Sequence, residues 1–303
     1  MSDTTARDNE EPLDDKAGTM DNQNRFEAII IKSATKYFRQ LSGMAFQEYR
    51  LSLRNRWAVG LTILFGTFAI LLLFFGGSDI GTMRIGPLIA SFGSLATYLV
   101  PLAALAYGHT IVVGADEQGW LDMLFALPTP RWIVVLGKYL GRAGTLAVSI
   151  AIGFGFAGVW LGLRYTVGSG LDLFASLIFW TIGLGLVFLA LATLVSVPVT
   201  QRTHALGISL IAWLWFVLVH DLVALGIVTM LGLRGWALSL LVLLNPVDIF
   251  RILILQNAGA RGAPFTAVFA ETGLSMPILI VGLIAWILVP ISLAAYLIQY
   301  RQV

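Results

Sequence analysis

The 303-residue chain contains no cysteine. That excludes disulfides, thiolate metal sites and cysteine nucleophiles. Charge is scarce as well. Asp, Glu, Lys and Arg make up 12% of the residues, about half the ~25% of an ordinary soluble domain. Apolar residues fill 58%, and the mean hydropathy is +0.85. Such a composition belongs to an integral membrane protein. A phosphate-cradling loop, G-x-x-x-x-G-K-[ST], is also missing. Gly137-Lys138 has Trp132 where the upstream glycine should stand, and Tyr139 replaces Ser or Thr. The Leu-Ser-Gly at 41–43 has no Gly-Gln continuation. The chain is not expected to be an enzyme, and any ATP and Mg would be bound by a partner. No nucleic-acid partner is expected.

What is present is a series of long apolar runs. A membrane helix needs about 20 mostly apolar residues. Six runs qualify, at 57–75, 87–113, 131–162, 171–198, 205–231 and 275–298. The expected fold is therefore all-α and polytopic, with six transmembrane helices in residues 57–303. A further run, "WALSLLVLL" from Trp236 to Leu244, is too short to cross, so it either dips in and returns or lies at the surface.

Lys and Arg in the flanks set the orientation. The side holding the N-terminal segment, the 114–131 loop, the "TQRTH" loop and the C-terminal "YRQV" collects fourteen of the nineteen. Both termini are thereby expected in the cytoplasm. The polar, acidic stretch 1–24 has no apolar core, so it is no signal peptide and reads as a disordered cytoplasmic tail. Residues 25–56 read as amphipathic interfacial helices. Phe46, Tyr49, Leu53 and Trp57 fall on one helical face, suited to lie in lipid at the inner interface.

The loop "GADEQGWLDMLFALPTPRW", 114–132, is acidic where the chain is otherwise greasy. Asp116 is a good N-cap, and Glu117 suits the positive end of a helix dipole. Trp120, Met123, Leu124 and Leu127 form an apolar stripe, and Pro128 stops the helix. Residues 116–127 therefore read as a short cytoplasmic amphipathic helix, joined to the third span.

The order Asp116-Glu117, Gly119, stripe, Pro128, Arg131, Gly137-Lys138 resembles the ABC-2-type permeases. Trp120 and Leu121 stand where a Thr-Leu pair is common. Further stretches are similar to the NosY group of that family: "LRNRW" before the first span, "WFVLVHDLVAL" in the fifth and "LLNPVDIFRIL" before the sixth. The likeness covers about 44–303. It implies an ABC-2 (type V) permease fold with an N-terminal elbow helix. It implies that Asp116, Glu117, Gly119, Trp120, Leu121, Leu124, Pro128 and Arg131 contact an ATPase subunit. It further implies a second copy of the chain, two NosF-like ATPase subunits, a periplasmic NosD-like partner and a role in building the copper centre of nitrous oxide reductase. The alternatives are a generic ABC-2 exporter of a lipid or drug, and an ion-coupled carrier.

Few polar groups lie deep in the spans. His220-Asp221 sits near the middle of the fifth and should face a protein interior. Lys138, Arg142 and His109 lie near cytoplasmic ends, where side chains snorkel. Asn245, Pro246 and Asp248 make a strong helix start. The helix 245–257 is expected on the outer side, with Asn245, Asp248 and Arg251 presented to a periplasmic partner. Cu(I) wants clustered Met or Cys. Met83, Met123, Met230 and Met276 are scattered, as are His109, His204 and His220, so no metal site is expected. Gly137/Gly141 and Gly158/Gly162 have small-xxx-small spacing, but with 31 glycines such pairs are expected by chance.

Overall fold

The computed structural model describes residues 13–54, 56–76, 85–120, 123, 129–164, 168–232, 235–257 and 273–301. Among them there is no strand. Six helical segments are long and apolar enough to cross a membrane, starting at Trp57, Leu88, Arg131, Leu171, Arg202 and Met276. All six agree with the hydropathy reading. The first span is Trp57–Gly76, the second Ile85–Gly108 with a short continuation Val113–Asp116, the third Arg131–Arg164 and the fourth Gly168–Ser196. The fifth joins Arg202–Leu214, a π turn Trp215–Val219 and His220–Leu231. The sixth is Met276–Tyr300.

The third and fourth spans form the centre. The third packs on the first, the fourth and the sixth, and the fourth on the second. Side-chain hydroxyls tie the spans together across their main chains. Ser149 donates to the Ala58 carbonyl at 3.1 Å and Tyr139 to the Leu186 carbonyl at 3.1 Å. Where the first three spans meet, fully buried Phe154 stacks on Phe65 and meets Phe92 edge-on. The fifth span lies at the edge. Only 11% of its apolar window is buried within the chain, against 61% for the second.

The N-terminal segment departs from expectation. One continuous helix runs Leu13–Arg54, so the stretch from residue 13 onward is helical and not a disordered tail, and 25–56 is not a pair of helices. No proline interrupts residues 14–54, and the one early glycine, Gly18, is tolerated. The last turns of this elbow helix lie along the third span. Phe46 and Leu53 are exposed on its outer face, as the lipid-facing reading requires, and Trp57 is exposed at the start of the first span, but Tyr49, expected on the same face, lies against Gly144 of the third span. The elbow helix's inner face is Glu48 and Ser52, both buried.

The glycine spacing proves structural at this crossing. A Cβ at Gly141 would sit 2.5 Å from the Ala45 carbonyl oxygen, and one at Gly137 2.8 Å from Met44. Gly158 likewise abuts the Phe174 ring. Chance placement is thus the wrong reading for Gly137/Gly141: the pair lets two backbones approach closely. Position 162 has no described side-chain surroundings.

Trp236–Leu243 and Pro246–Asn257 form a helical hairpin bent by 109°. Asn245 turns the corner, accepting from the Val247 amide at 3.0 Å. The second helix does not lie outside the bundle. Its Val247, Ile249, Phe250, Ile252, Leu253 and Ile254 are buried against the second, fourth and sixth spans. The hairpin therefore packs into the bundle rather than lying at its surface.

Gly141→Val tests the crossing. Forcing atoms into a filled contact costs about 1–3 kcal/mol. The variant is expected to unfold at lower temperature and to expose Glu48 to a carboxyl reagent. An unchanged melting temperature would contradict the close approach.

Candidate coupling site and buried charge clusters

Three loop ends converge where the C-terminus leaves the sixth span. Ser196, at the end of the fourth span, accepts from the amides of both Val112 and Val113 at 3.0 Å. These bonds fix the entry to the acidic loop. Asp116 ends the short helix Val113–Asp116 and pairs with Arg301 at 2.5 Å. Arg301 also donates to the carbonyls of Val197 and Val199. Arg131, at the start of the third span, donates to the carbonyls of Arg301 and Gln299 at 2.9 and 3.3 Å. Glu117 pairs with Arg202 at 2.6 Å and accepts from the Arg202 amide at 2.7 Å. Arg202 in turn donates to the Gly114 carbonyl at 2.9 Å. The loop is thus tied to the ends of the fourth, fifth and sixth spans, and Arg131 ties the start of the third span to the end of the sixth.

This revises the roles expected of several residues. Asp116 is a helix end rather than an N-cap, and Gly119, at φ +68°, interrupts any helix running on from it. Only glycine adopts that conformation cheaply. Asp116, Glu117 and Arg131 each engage partners within the chain, and Glu117 remains exposed beside Arg202. Among the described residues of the loop, Trp120 and Met123, 57% and 68% exposed, are the large apolar groups presented beyond the knot. Leu121, Leu124 and Pro128 lie outside the described residues.

A second cluster joins the elbow helix to the third span. Glu48 meets Arg142 at 3.0 Å and Lys138 at 3.5 Å, all three mostly buried. Arg142 also donates to the Tyr107 carbonyl at 2.7 Å and to Thr110 at 3.0 Å. Lys138 and Arg142 therefore do not snorkel: Glu48, nine residues before the first span begins at Trp57, reaches both. His109 hydrogen-bonds the Ala106 carbonyl at 2.8 Å through Nδ1.

The third cluster lies between the fifth span and the hairpin. Asn245 Nδ2 donates to the Phe216 carbonyl within the π turn at 3.0 Å and approaches His220 Nδ1 at 2.9 Å. His220 Nδ1 is 3.4 Å from Asp248. Arg251 Nη1 bridges Asp221 at 2.7 Å and Asp248 at 3.1 Å. His220-Asp221 does face protein, as its depth demanded. Asn245 and Asp248 are buried and Arg251 is paired. Asn245 and Asp248 do not present the partner surface expected of them, because the helix carrying them packs into the bundle, whereas a quarter of the Arg251 side chain stays exposed.

The chain also holds a grouping that residue spacing concealed. His220, Asp221 and Asp248 bring three ligand-type atoms within 4.8 Å of one another. The set is hard, with no sulfur, which is poorly suited to Cu(I). Arg251 already occupies both carboxylates, and Asn245 occupies Nδ1.

The family model for the ABC-2 family transporter protein matches residues 44–302. The chain belongs to that family. The permease is 34% identical to the probable ABC transporter permease protein NosY of Stutzerimonas stutzeri over 277 residues, 86% of this chain and 99% of that one. It is 35% identical to the protein of the same name from Pseudomonas aeruginosa over 228 residues, 73% of this chain and 83% of that one. These relatives place the permease in the NosY group.

Glu48→Gln leaves Lys138 and Arg142 facing each other without a carboxylate. Losing one partner of a buried pair costs about 3–5 kcal/mol. A large drop in denaturation midpoint is expected, and the double change Glu48→Gln with Lys138→Met should recover part of it. No recovery would contradict the pairing.

Proposed function

We propose that the permease is the membrane subunit of an ABC complex that matures the copper centre of nitrous oxide reductase. Two copies of the chain would bind two NosF-like ATPase subunits, which bind ATP and Mg and hydrolyse the nucleotide. The termini and the acidic loop would face the cytoplasm, in keeping with their Lys and Arg excess. The lightly buried edge of the fifth span is a suitable face for the second copy.

The observation that carries this reading is the anchored loop. Trp120 and Met123 stand exposed on a segment whose root is clamped by Asp116–Arg301 and Glu117–Arg202. A partner gripping those apolar groups would move the ends of the third, fifth and sixth spans together. That is the behaviour a coupling element needs. At the opposite end, a NosD-like periplasmic partner would meet surfaces other than Asn245 and Asp248. The exposed Trp236 at the hairpin's start is one such group.

Trp120→Glu with Met123→Glu is expected to abolish co-purification of the ATPase subunit while the permease still inserts. In a strain lacking the native chain, this variant should leave nitrous oxide reductase without its copper centre, and the wild-type chain should restore it. Unchanged ATPase binding would sink the coupling assignment. Normal copper loading in the deletion strain would sink the maturation role.

A further inference from the structure

We propose that Arg50, Arg54 and Arg56, at the joint between the elbow helix and the first span, bind the headgroup of an anionic phospholipid whose acyl chain lies along the exposed face of that span. The three cations stand at headgroup level. Trp57 opens the first span, and a tryptophan at the start of an apolar run sits at the membrane interface. Arg56 directly precedes it, and Arg54 and Arg50 close the elbow helix. All three side chains are exposed. Arginine keeps its charge in any of these surroundings and grips phosphate oxygens with paired N–H donors.

The chain itself leaves these charges unmet. Between residues 28 and 78 the sequence holds a single carboxylate, Glu48. It is buried and taken by Lys138 and Arg142. Successive helical residues turn by about 100°, so Arg50 and Arg54 lie on the side of the helix away from it. The ion pairs among the described residues include none of the three arginines. The Arg50 guanidinium carbon lies 5.0 Å from the centre of the Phe46 ring, which orients the group without cancelling its charge.

Arg56 also holds an unusual backbone. Its φ is +59°, and it is the one non-glycine residue with positive φ among those described. A side chain in that conformation costs energy that glycine would not. An arginine at such a corner fits a position where the charge is used.

A matching apolar surface begins beneath the cations. Gly60, Ile63, Ile70 and Phe74 recur at helical spacing along the first span, and all are exposed, Ile63 by 62% and Phe74 by 70%. A Cβ at Gly60 would meet no atom within 4 Å, so the glycine leaves a notch in this face just past Arg56. Cations at the level of Trp57, with hydrocarbon surface below, match a molecule that carries phosphate at one end and an acyl chain at the other. A free anion has no use for the apolar stripe. A second copy set symmetrically on this face would bring the same cations against them. A zwitterionic lipid supplies its own cation, whereas an anionic lipid leaves its phosphate charge to the arginines. The leaflet is the cytoplasmic one in the orientation proposed above.

The full-length permease, with phosphatidylglycerol and phosphatidylcholine as probes, tests the site. Native mass spectrometry from detergent reads which lipid stays bound, and retention of phosphatidylglycerol is expected. Each basic residue beside an anionic surface strengthens attachment about fivefold, so Arg54→Gln with Arg56→Gln should lower the preference about 25-fold. Lys32→Gln with Lys36→Gln, earlier on the same helix and also exposed, should leave it unchanged. Arg56→Gly separates lipid binding from folding. Glycine fits the left-handed corner, so the denaturation midpoint in phosphatidylcholine should not fall, while the preference should drop about fivefold. Equal retention of both lipids by the wild-type chain, or a preference that survives the arginine variants, would overturn the site. Release of phosphatidylglycerol by millimolar inorganic phosphate would overturn it too, in favour of a free-anion site. The native chain lacks cysteine, so Ile63→Cys reports what covers the stripe. Ready disulfide formation between two copies at that position would assign the face to the second copy instead. Should the double arginine variant fail to insert, Arg56→Gly and the wild-type comparison decide. Lipid retention is read without the ATPase subunit, so its failure leaves the coupling assignment standing.

Discussion

A charge held within an apolar bundle must be met by an opposite charge or a carbonyl from the same molecule, because the surroundings offer nothing else. Three joints of the permease answer that demand. Glu48 meets Lys138 and Arg142, Arg301 meets Asp116 and two carbonyls, and Arg251 meets Asp221 and Asp248. Each joint links elements far apart in sequence. Each therefore fixes a relation between helices that apolar packing, which is indifferent to small slides, leaves loose.

The joints also distribute motion. The acidic loop is bound to Arg202 at the start of the fifth span, and the hairpin is bound to His220 and Asp221 beyond its π turn. Between these attachments the span packs lightly on its own chain. A displacement at the loop thus has a continuous helical path toward the hairpin, with few side contacts to absorb it. The third span is held differently. It is sandwiched by the elbow helix, the first span and the fourth, with glycines at its closest crossing.

Much of the fold was legible in the sequence, because the features that reveal a span are local. Apolar runs, the Asn245-Pro246 helix start and the lipid-facing Phe46 and Leu53 all depend on neighbours within a few turns. The clusters depended on contacts that no window contains. Asp116 and Arg301 are 185 residues apart, and Glu48 and Arg142 are 94 apart. Asp116 looked like an N-cap because capping is judged from the next three residues, whereas its carboxylate is taken by the far end of the chain. The hairpin's second helix looked amphipathic and external because Asp248 and Arg251 are polar, yet they are polar toward each other and toward Asp221. Gly137/Gly141 could not be told from chance until Met44 and Ala45 were seen against them.

The joints differ in strength, and the difference assigns them to different tasks. The Glu48 joint is mostly buried, with side-chain exposures of 11–14%, so opening it would strand charges in an apolar setting. Breaking it would cost about 3–5 kcal/mol. The Glu117–Arg202 pair is more than a third exposed on one side, and such pairs contribute about 0–1 kcal/mol. Water can replace either partner when the loop moves. The Asp116–Arg301 pair lies between these limits, and its arginine keeps two carbonyl partners if the carboxylate leaves. A force applied at Trp120 and Met123 would release Glu117 from Arg202 first and pull through Asp116 and Arg301 afterwards. The elbow helix and the third span would stay locked. The graded burial of three ion pairs would thereby set the order in which the bundle yields.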